Sequence, residues 1–298
     1  RLTWPTMLSN TLYMLMGIAF LKVAGTMGTD AVAAVTTGQR LYFVLHAIMM
    51  GLCSGTTAMV GRHWGAGDKQ MAGRFAALSV LVFVIDGMLL SWVAIPFLDQ
   101  LIGIFSLADE AHIMAIEFTF WTAVYAPMIL VTLVFNMSFR AVGNATTPLW
   151  TAIIGVSLSV ALGGGLAFGW AGLPNLGLNG IAIGGGIAMT VTIVVFLLFW
   201  VLGWLSFKPS NPLPDIVKNG KTLIDIGMPA AFEQAFFQAG MLLFMVFLAS
   251  YGNAPFAAYG IGLSILGLII VVALSFSISA ATLVSQHLGA GDKQGAYN

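Results

Sequence analysis

His63-Trp64-Gly65-Ala66-Gly67-Asp68-Lys69-Gln70 and His287-Leu288-Gly289-Ala290-Gly291-Asp292-Lys293-Gln294 agree at seven of eight positions, 224 residues apart (287 − 63). With no gap, the same offset places Pro5 on Pro229, Gly28 on Gly252, Ala33-Ala34 on Ala257-Ala258, Gly38 on Gly262, Val60 on Val284 and Ala72 on Ala296. Self-similarity at a fixed period is the mark of a duplicated unit. The unit must therefore be identified before any single residue is interpreted.

Composition says what the unit is made of. Of 298 residues, 59% are hydrophobic and 7% charged, and the mean hydropathy is +0.97, against roughly 25% charge in soluble domains. Such a chain cannot cover itself with solvated groups, so its main solvent is the lipid bilayer. Eleven basic and eleven acidic residues cancel, which leaves no electrostatic footprint for nucleic acid. The one cysteine, Cys53, has no disulfide partner and reads as a small packing residue.

A spanning helix needs about 20 mostly apolar residues, and eight stretches qualify: 4–26, 31–58, 75–99, 112–138, 149–170, 177–204, 223–249 and 256–285. Their runs are continuous rather than alternating, which favours helices over a barrel. The first reads as a spanning helix and not as a cleaved signal peptide. The expected class is an all-α polytopic membrane protein. With the N-terminus cytoplasmic, the inner segments hold Arg1, Arg62, Lys69, Arg74, Arg140, Lys208, Lys218, Lys221 and Lys293, and only Lys22 and Arg40 lie outward. That asymmetry obeys the positive-inside rule and predicts a multi-pass inner (plasma) membrane protein.

Six spans separate equivalent points of the repeat, and an even number returns the chain to the same side. The two units are thus expected to be parallel repeats about an axis along the membrane normal. Residues 1–204 form the first lobe with six spans. Residues 205–222, with Pro209, Pro212 and Pro214, form a cytoplasmic linker. Residues 223–298 begin the second lobe with two spans, leaving four of its helices outside this chain. Two similar bundles around a cleft suit alternating access.

The early proline, Gly28 with Ala33-Ala34, and the Gly65-Ala66-Gly67-Asp68-Lys69-Gln70 turn repeated in the second half resemble the multidrug and toxic-compound extrusion (MATE) exporters. Arg140-Ala141-Val142-Gly143-Asn144-Ala145-Thr146-Thr147-Pro148 and Leu176-Gly177-Leu178-Asn179-Gly180-Ile181-Ala182 are similar to further segments of that family. The resemblance implies a twelve-helix, two-lobe monomeric antiporter that expels organic cations or similar amphipathic compounds in exchange for protons or sodium. A lipid-linked precursor flippase of the same superfamily is the alternative, and it would need a strongly cationic cavity. Many members carry an aspartate in the first span where this chain has Phe20, so coupling is expected to use other groups.

Charges inside a bilayer are costly and are candidates by default. Glu233, in Gly227-Met228-Pro229-Ala230-Ala231-Phe232-Glu233-Gln234, resembles an acidic residue many of these exporters keep, and is the first candidate for binding a cation or proton; Gln234 and Gln238 follow it. Asp86 and His46, at similar depth either side of the turn at Asp68, are expected to meet as a proton-handling pair or as packed core groups. Arg40 and Glu117 are expected to pair as an outer gate or to serve structure alone. In the turns Gly65, Gly67, Asp68, Lys69 and Gly289, Gly291, Asp292, Lys293, glycine permits the reversal and aspartate caps the following helix. They lack the strand and the Gly-Lys-Ser/Thr of a phosphate loop. No cofactor, metal or ATP site is expected, and no catalytic motif lies in the spans; energy should come from an ion gradient.

Overall fold

A computed structural model describes residues 2–105, 107–212, 214–249 and 253–297, with backbone alone described at 242, 245, 246, 248, 249, 253–265 and 268. Arg1 and Gly252 lie outside the described residues, as do the side chains of Ala257 and Ala258. Eleven α-helices are described: α1 (Thr3–Gly25), α2 (Thr29–Gly65), α3 (Lys69–Ala94), α4 (Leu98–Gly103), α5 (Asp109–Val124), α6 (Ala126–Ala141), α7 (Thr146–Phe168), α8 (Leu178–Val201), α9 (Ile216–Ala249), α10 (Asn253–Gly289) and α11 (Lys293–Tyr297). Six helical segments are long and apolar enough to cross a membrane, or seven if the bent pair α5–α6 counts as one span. The expected span at 223–249 falls in α9, where several side chains are undescribed.

The helix bounds obey the repeat. Shifted by 224, α2 falls on α10 at both ends, the end of α1 on the end of α9, and the start of α3 on the start of α11. At both Asp-Lys-Gln turns the second glycine is left-handed, Gly67 at φ 79° and Gly291 at φ 76°, which only glycine adopts freely. Asp68 then caps α3 by accepting from the Met71 amide (2.9 Å), and Asp292 caps α11 by accepting from the Gly295 amide (2.9 Å).

Two expectations are corrected. The stretch 112–138 is not one rod: α5 and α6 meet at 51°. Pro127, in the first turn of α6, has no N–H for the Ala123 carbonyl, and its ring crowds the preceding turn. Ser91 on α3 supplies the missing donor, its hydroxyl 2.6 Å from that carbonyl and 2.8 Å from the carbonyl of Gly87. The second correction concerns α9, which begins at Ile216, seven residues before the expected boundary at 223, because Pro214 is the last proline before Pro229.

Small residues set the helix spacing. Gly180 and Gly184 of α8 lie where any side chain would run into the α7 backbone, 2.5 Å from Leu166 and from Gly163. The largest packed core gathers Val60, Phe75, Leu78, Phe135, Phe139 and Trp200 from α2, α3, α6 and α8.

Candidate functional site

Helix α2 is the spine of the site. Its half nearer the Asp-Lys-Gln turn crosses α9 and α10 with almost no side chains between the backbones. A Cβ on Gly51 would lie 2.6 Å from the Ala230 carbonyl, and side chains on Gly55, Gly61 and Gly65 would overlap Leu223, Ser285 and Gln286. Across the crossing, Gly289 presses on the Arg62 carbonyl as Gly65 presses on that of Gln286. Arg62 and Gln286 are themselves equivalent under the 224-residue offset, so the contact is reciprocal, as a two-fold arrangement requires. Both Asp-Lys-Gln turns therefore lie side by side at one end. Further along, Gly51 meets α9, while its equivalent Ser275 accepts a hydrogen bond from Asn10 of α1 (3.2 Å). Gln286 also donates to the Ala141 carbonyl (2.7 Å), tying α10 to the end of α6.

The other half of α2 faces a cavity of about 790 Å³. Ala33, Thr36, Thr37, Arg40, Leu41, Val44 and Leu45 line it from α2, a set spaced three and four residues apart, which is one helical face. Opposite stand Ser91 of α3, Leu98 and Leu101 of α4, Thr119, Thr122 and Ala123 of α5, and Ala126 and Leu130 of α6. The bend at Tyr125 thus falls in the cavity wall, and Ile104, 75% exposed, marks its open side. Gly38 seats α2 against α5, where a Cβ would approach the Phe118 ring at 2.7 Å.

The sequence-derived candidates scatter. His46 and Arg40 both line the cavity, and His46 shares a 3.1 Å hydrogen bond with Tyr42 one turn away. Asp86 does not join them: half-buried on α3, it forms no ion pair with His46. Similar depth counted from a turn does not by itself make a contact, and no bond joins the two. The Arg40–Glu117 gate is likewise not formed. Glu117 accepts from Asn179 (2.8 Å) and lines a separate pocket with Asp99, Phe120 and Trp121. Glu233 is exposed on α9, Gln234 half-buried and Gln238 buried, and none of the three lines the cavity. Arg140, expected in an inner segment, is in the last turn of α6, at the end that Gln286 joins, and is only 5% exposed.

Sequence reading missed the hydroxyl groups of Thr36, Thr37, Ser91, Thr119 and Thr122. Their signal was present as the adjacent pair Thr36-Thr37, as Thr119 and Thr122 one turn apart in an otherwise apolar run, and as Pro127 interrupting a span. No group of three or more His, Cys, Asp or Glu side chains converges to hold a metal ion among the described residues.

Comparisons with known proteins agree with this architecture. The MatE family model matches residues 5–163 and 229–298. A probable multidrug resistance protein NorM of Thermotoga maritima is 26% identical over 99% of this chain and 63% of its own length. A protein named FAD transporter in Shewanella oneidensis is 26% identical over 91% of this chain and 60% of its own. The chain thus spans less than two thirds of these relatives. A MOP superfamily transporter from Pyrococcus furiosus shares the fold at a TM-score of 0.89 and 22% identity, covering all of this chain and 66% of that one.

Proposed function

The chain belongs to the MatE family, and from that premise we propose that it forms the first part of a secondary antiporter that exports drug-like amphipathic compounds in exchange for protons or sodium. The observation that carries this reading is the asymmetry along α2. The Gly65–Gln286 and Gly289–Arg62 contacts close the Asp-Lys-Gln end, while a cavity of about 790 Å³ stands beside the other half. The cavity lies within the first lobe, between α2 and α3–α6, and a contact between lobes closed at one end with such a space beside the other supports one state of an alternating-access cycle. In this reading residues 1–204 and the chain from about 223 are the two lobes. The N-terminus and both Asp-Lys-Gln turns face the cytoplasm, and the protein works as a monomer in the inner membrane.

Glu233 is the coupling group in this scheme. It follows Pro229, which lies inside α9 and frees the Asp225 carbonyl from its helical bond. A carboxylate on a loosened helix can take up a proton or a sodium ion and release it when the lobes rearrange. A flippase for a pyrophosphate-linked lipid would want several cations around its cargo, and among the described residues the cavity carries one permanent cation, Arg40.

The test uses the full-length protein in vesicles with a proton or a sodium gradient imposed in turn. One gradient should drive efflux. Glu233→Gln should abolish gradient-driven efflux while folded protein remains in the membrane, and normal transport by that variant removes Glu233 from the mechanism.

A further inference from the structure

The sign of the charge lining the cavity selects its occupant. The chain has eleven acidic residues, every one of them at a described position, and none lines the cavity. Its ionisable lining groups are Arg40, His46 and Tyr42. The remaining polar lining is hydroxylic, from Thr36, Thr37, Ser91, Thr119 and Thr122, set among aliphatic side chains and Phe105.

An organic cation entering this space would exchange water for a low-dielectric wall that holds an arginine and no carboxylate. Both terms oppose it, since desolvating a charge is costly and the only fixed charge among the described lining residues repels it. An amphipathic anion meets the opposite balance. Its acid group reaches the fork of guanidinium donors on Arg40, neighbouring hydroxyls donate to its remaining oxygens, and its ring system fills the apolar part. The volume falls in the range that encloses a drug-sized ligand. Ser91 and Thr122 contribute only weakly here, because their protons are engaged by the Gly87 and Ala123 carbonyls and by the Phe118 carbonyl.

We infer that the cavity between α2 and α3–α6 is a binding site for amphipathic aromatic anions bearing a carboxylate, sulfonate or phosphate, with Arg40 as the group that recognises the acid. This narrows the transport reading above and rests on it for its physiological meaning, while the binding itself does not depend on transport. It also reverses the expectation of organic cations drawn from family resemblance.

The experiment measures equilibrium binding of two fluorescent probes to the purified full-length protein. One is the anion 8-anilino-1-naphthalenesulfonate, the other the cation ethidium. An Ala94→Trp variant, which fills the cavity, defines the background of non-specific binding. The expected result is anion binding above that background and at least about tenfold tighter than cation binding, the weight of one charge-assisted contact. Arg40→Gln should weaken the anion by about that factor and Arg40→Glu should invert the order. The Arg40→Lys variant, which keeps the charge but not the fork, should bind the anion more weakly than the unmodified protein yet still ahead of the cation, an order that a purely structural arginine would not predict.

Equal or tighter binding of ethidium to the unmodified protein overturns the inference. So does an anion affinity that Ala94→Trp or both the Arg40→Gln and Arg40→Glu variants leave unchanged. Gradient-driven transport in the same preparation separates the two readings. Ethidium efflux without anion binding leaves the antiporter standing and removes this site, whereas anion binding without any gradient-driven flux does the reverse.

Discussion

From Gly51 to Gly65, α2 touches α9 and α10 backbone to backbone; from Ala33 to His46 the same helix turns threonines, an arginine and a histidine into open space. The two stretches belong to one unbroken helix of 37 residues, so the difference lies entirely in side chains. Glycine removes every atom that would hold two helices apart, and the contact becomes close and intolerant of change. Branched and polar residues do the opposite, keeping α3–α6 at a distance that leaves room for a ligand. Tightness and vacancy are therefore written into alternate halves of one element.

The largest effect should come from breaking the tight half. Gly65→Val puts a branched side chain into the Gln286 carbonyl, and overpacking of this kind costs about 1–3 kcal/mol or more. Thermal unfolding in detergent should shift down clearly and transport by the full-length protein should be lost; an unchanged melting temperature would mean the crossing is looser than described. Gly61→Cys with Ser285→Cys, in a Cys53→Ser background, sharpens the same contact. A Cβ at Gly61 lies 3.0 Å from that of Ser285, about 0.5 Å short of the usual disulfide spacing, so the two helices must part by about that much for oxidation to form the bridge. Transport should stop on oxidation and return on reduction, and transport that continues through the closed bridge would show that this end does not need to open.

A smaller effect is expected in the cavity half. Ser91→Ala leaves the Ala123 carbonyl, already deprived of its helical donor by Pro127, without a partner. The cost should be about 1–3 kcal/mol, read as a lower melting temperature together with weaker probe binding, since the bend forms part of the cavity wall. The smallest effect concerns the turn at Asp292. The Gly295 amide and His287 hold its carboxyl below the usual carboxylate range. A depressed folded value stabilises the cap above the unfolded carboxylate value, about 4, and that stability is lost as pH falls through the lower folded value. Hydrogen exchange at the Gly295 amide should therefore speed up, relative to the intrinsic rate, only below about pH 4, and Asp292→Asn should blunt the change. A transition at neutral pH would point to a different group.

How readily the two halves could be read differs for a physical reason. The glycine crossing was implicit in the repeat, because Gly65 and Gly289 are equivalent and a two-fold contact must bring equivalent residues to reciprocal positions. The all-helical class and most spans followed from hydropathy alone. The cavity was not legible, since apolar runs report length and depth but not azimuth. Counting residues from Asp68 placed His46 and Asp86 at one level, which did not make them a bonded pair; the same reasoning paired Arg40 with Glu117, whose carboxylate bonds Asn179 instead. Pro127 was visible in the run 112–138, yet its bend depends on Ser91 in a different helix to satisfy the freed carbonyl, and no local pattern announces that partner. The burial of Arg140 was not legible either, because a charge beside a loop motif gives no sign that it ends a buried helix.

The length of α2 has a mechanical corollary. Gly61 lies 28 residues from Ala33 along a helix with no proline in it, a rod of about 42 Å at 1.5 Å per residue. If the glycine crossing is the pivot, a tilt of about 10° sweeps the far end through about 7 Å, on the order of one helix radius with side chains. Because α10 has the same length and crosses at the equivalent point, both rods gain that leverage together. The glycines then serve as a fulcrum: a pivot this thin lets a slight rocking at one surface become a wide opening at the other.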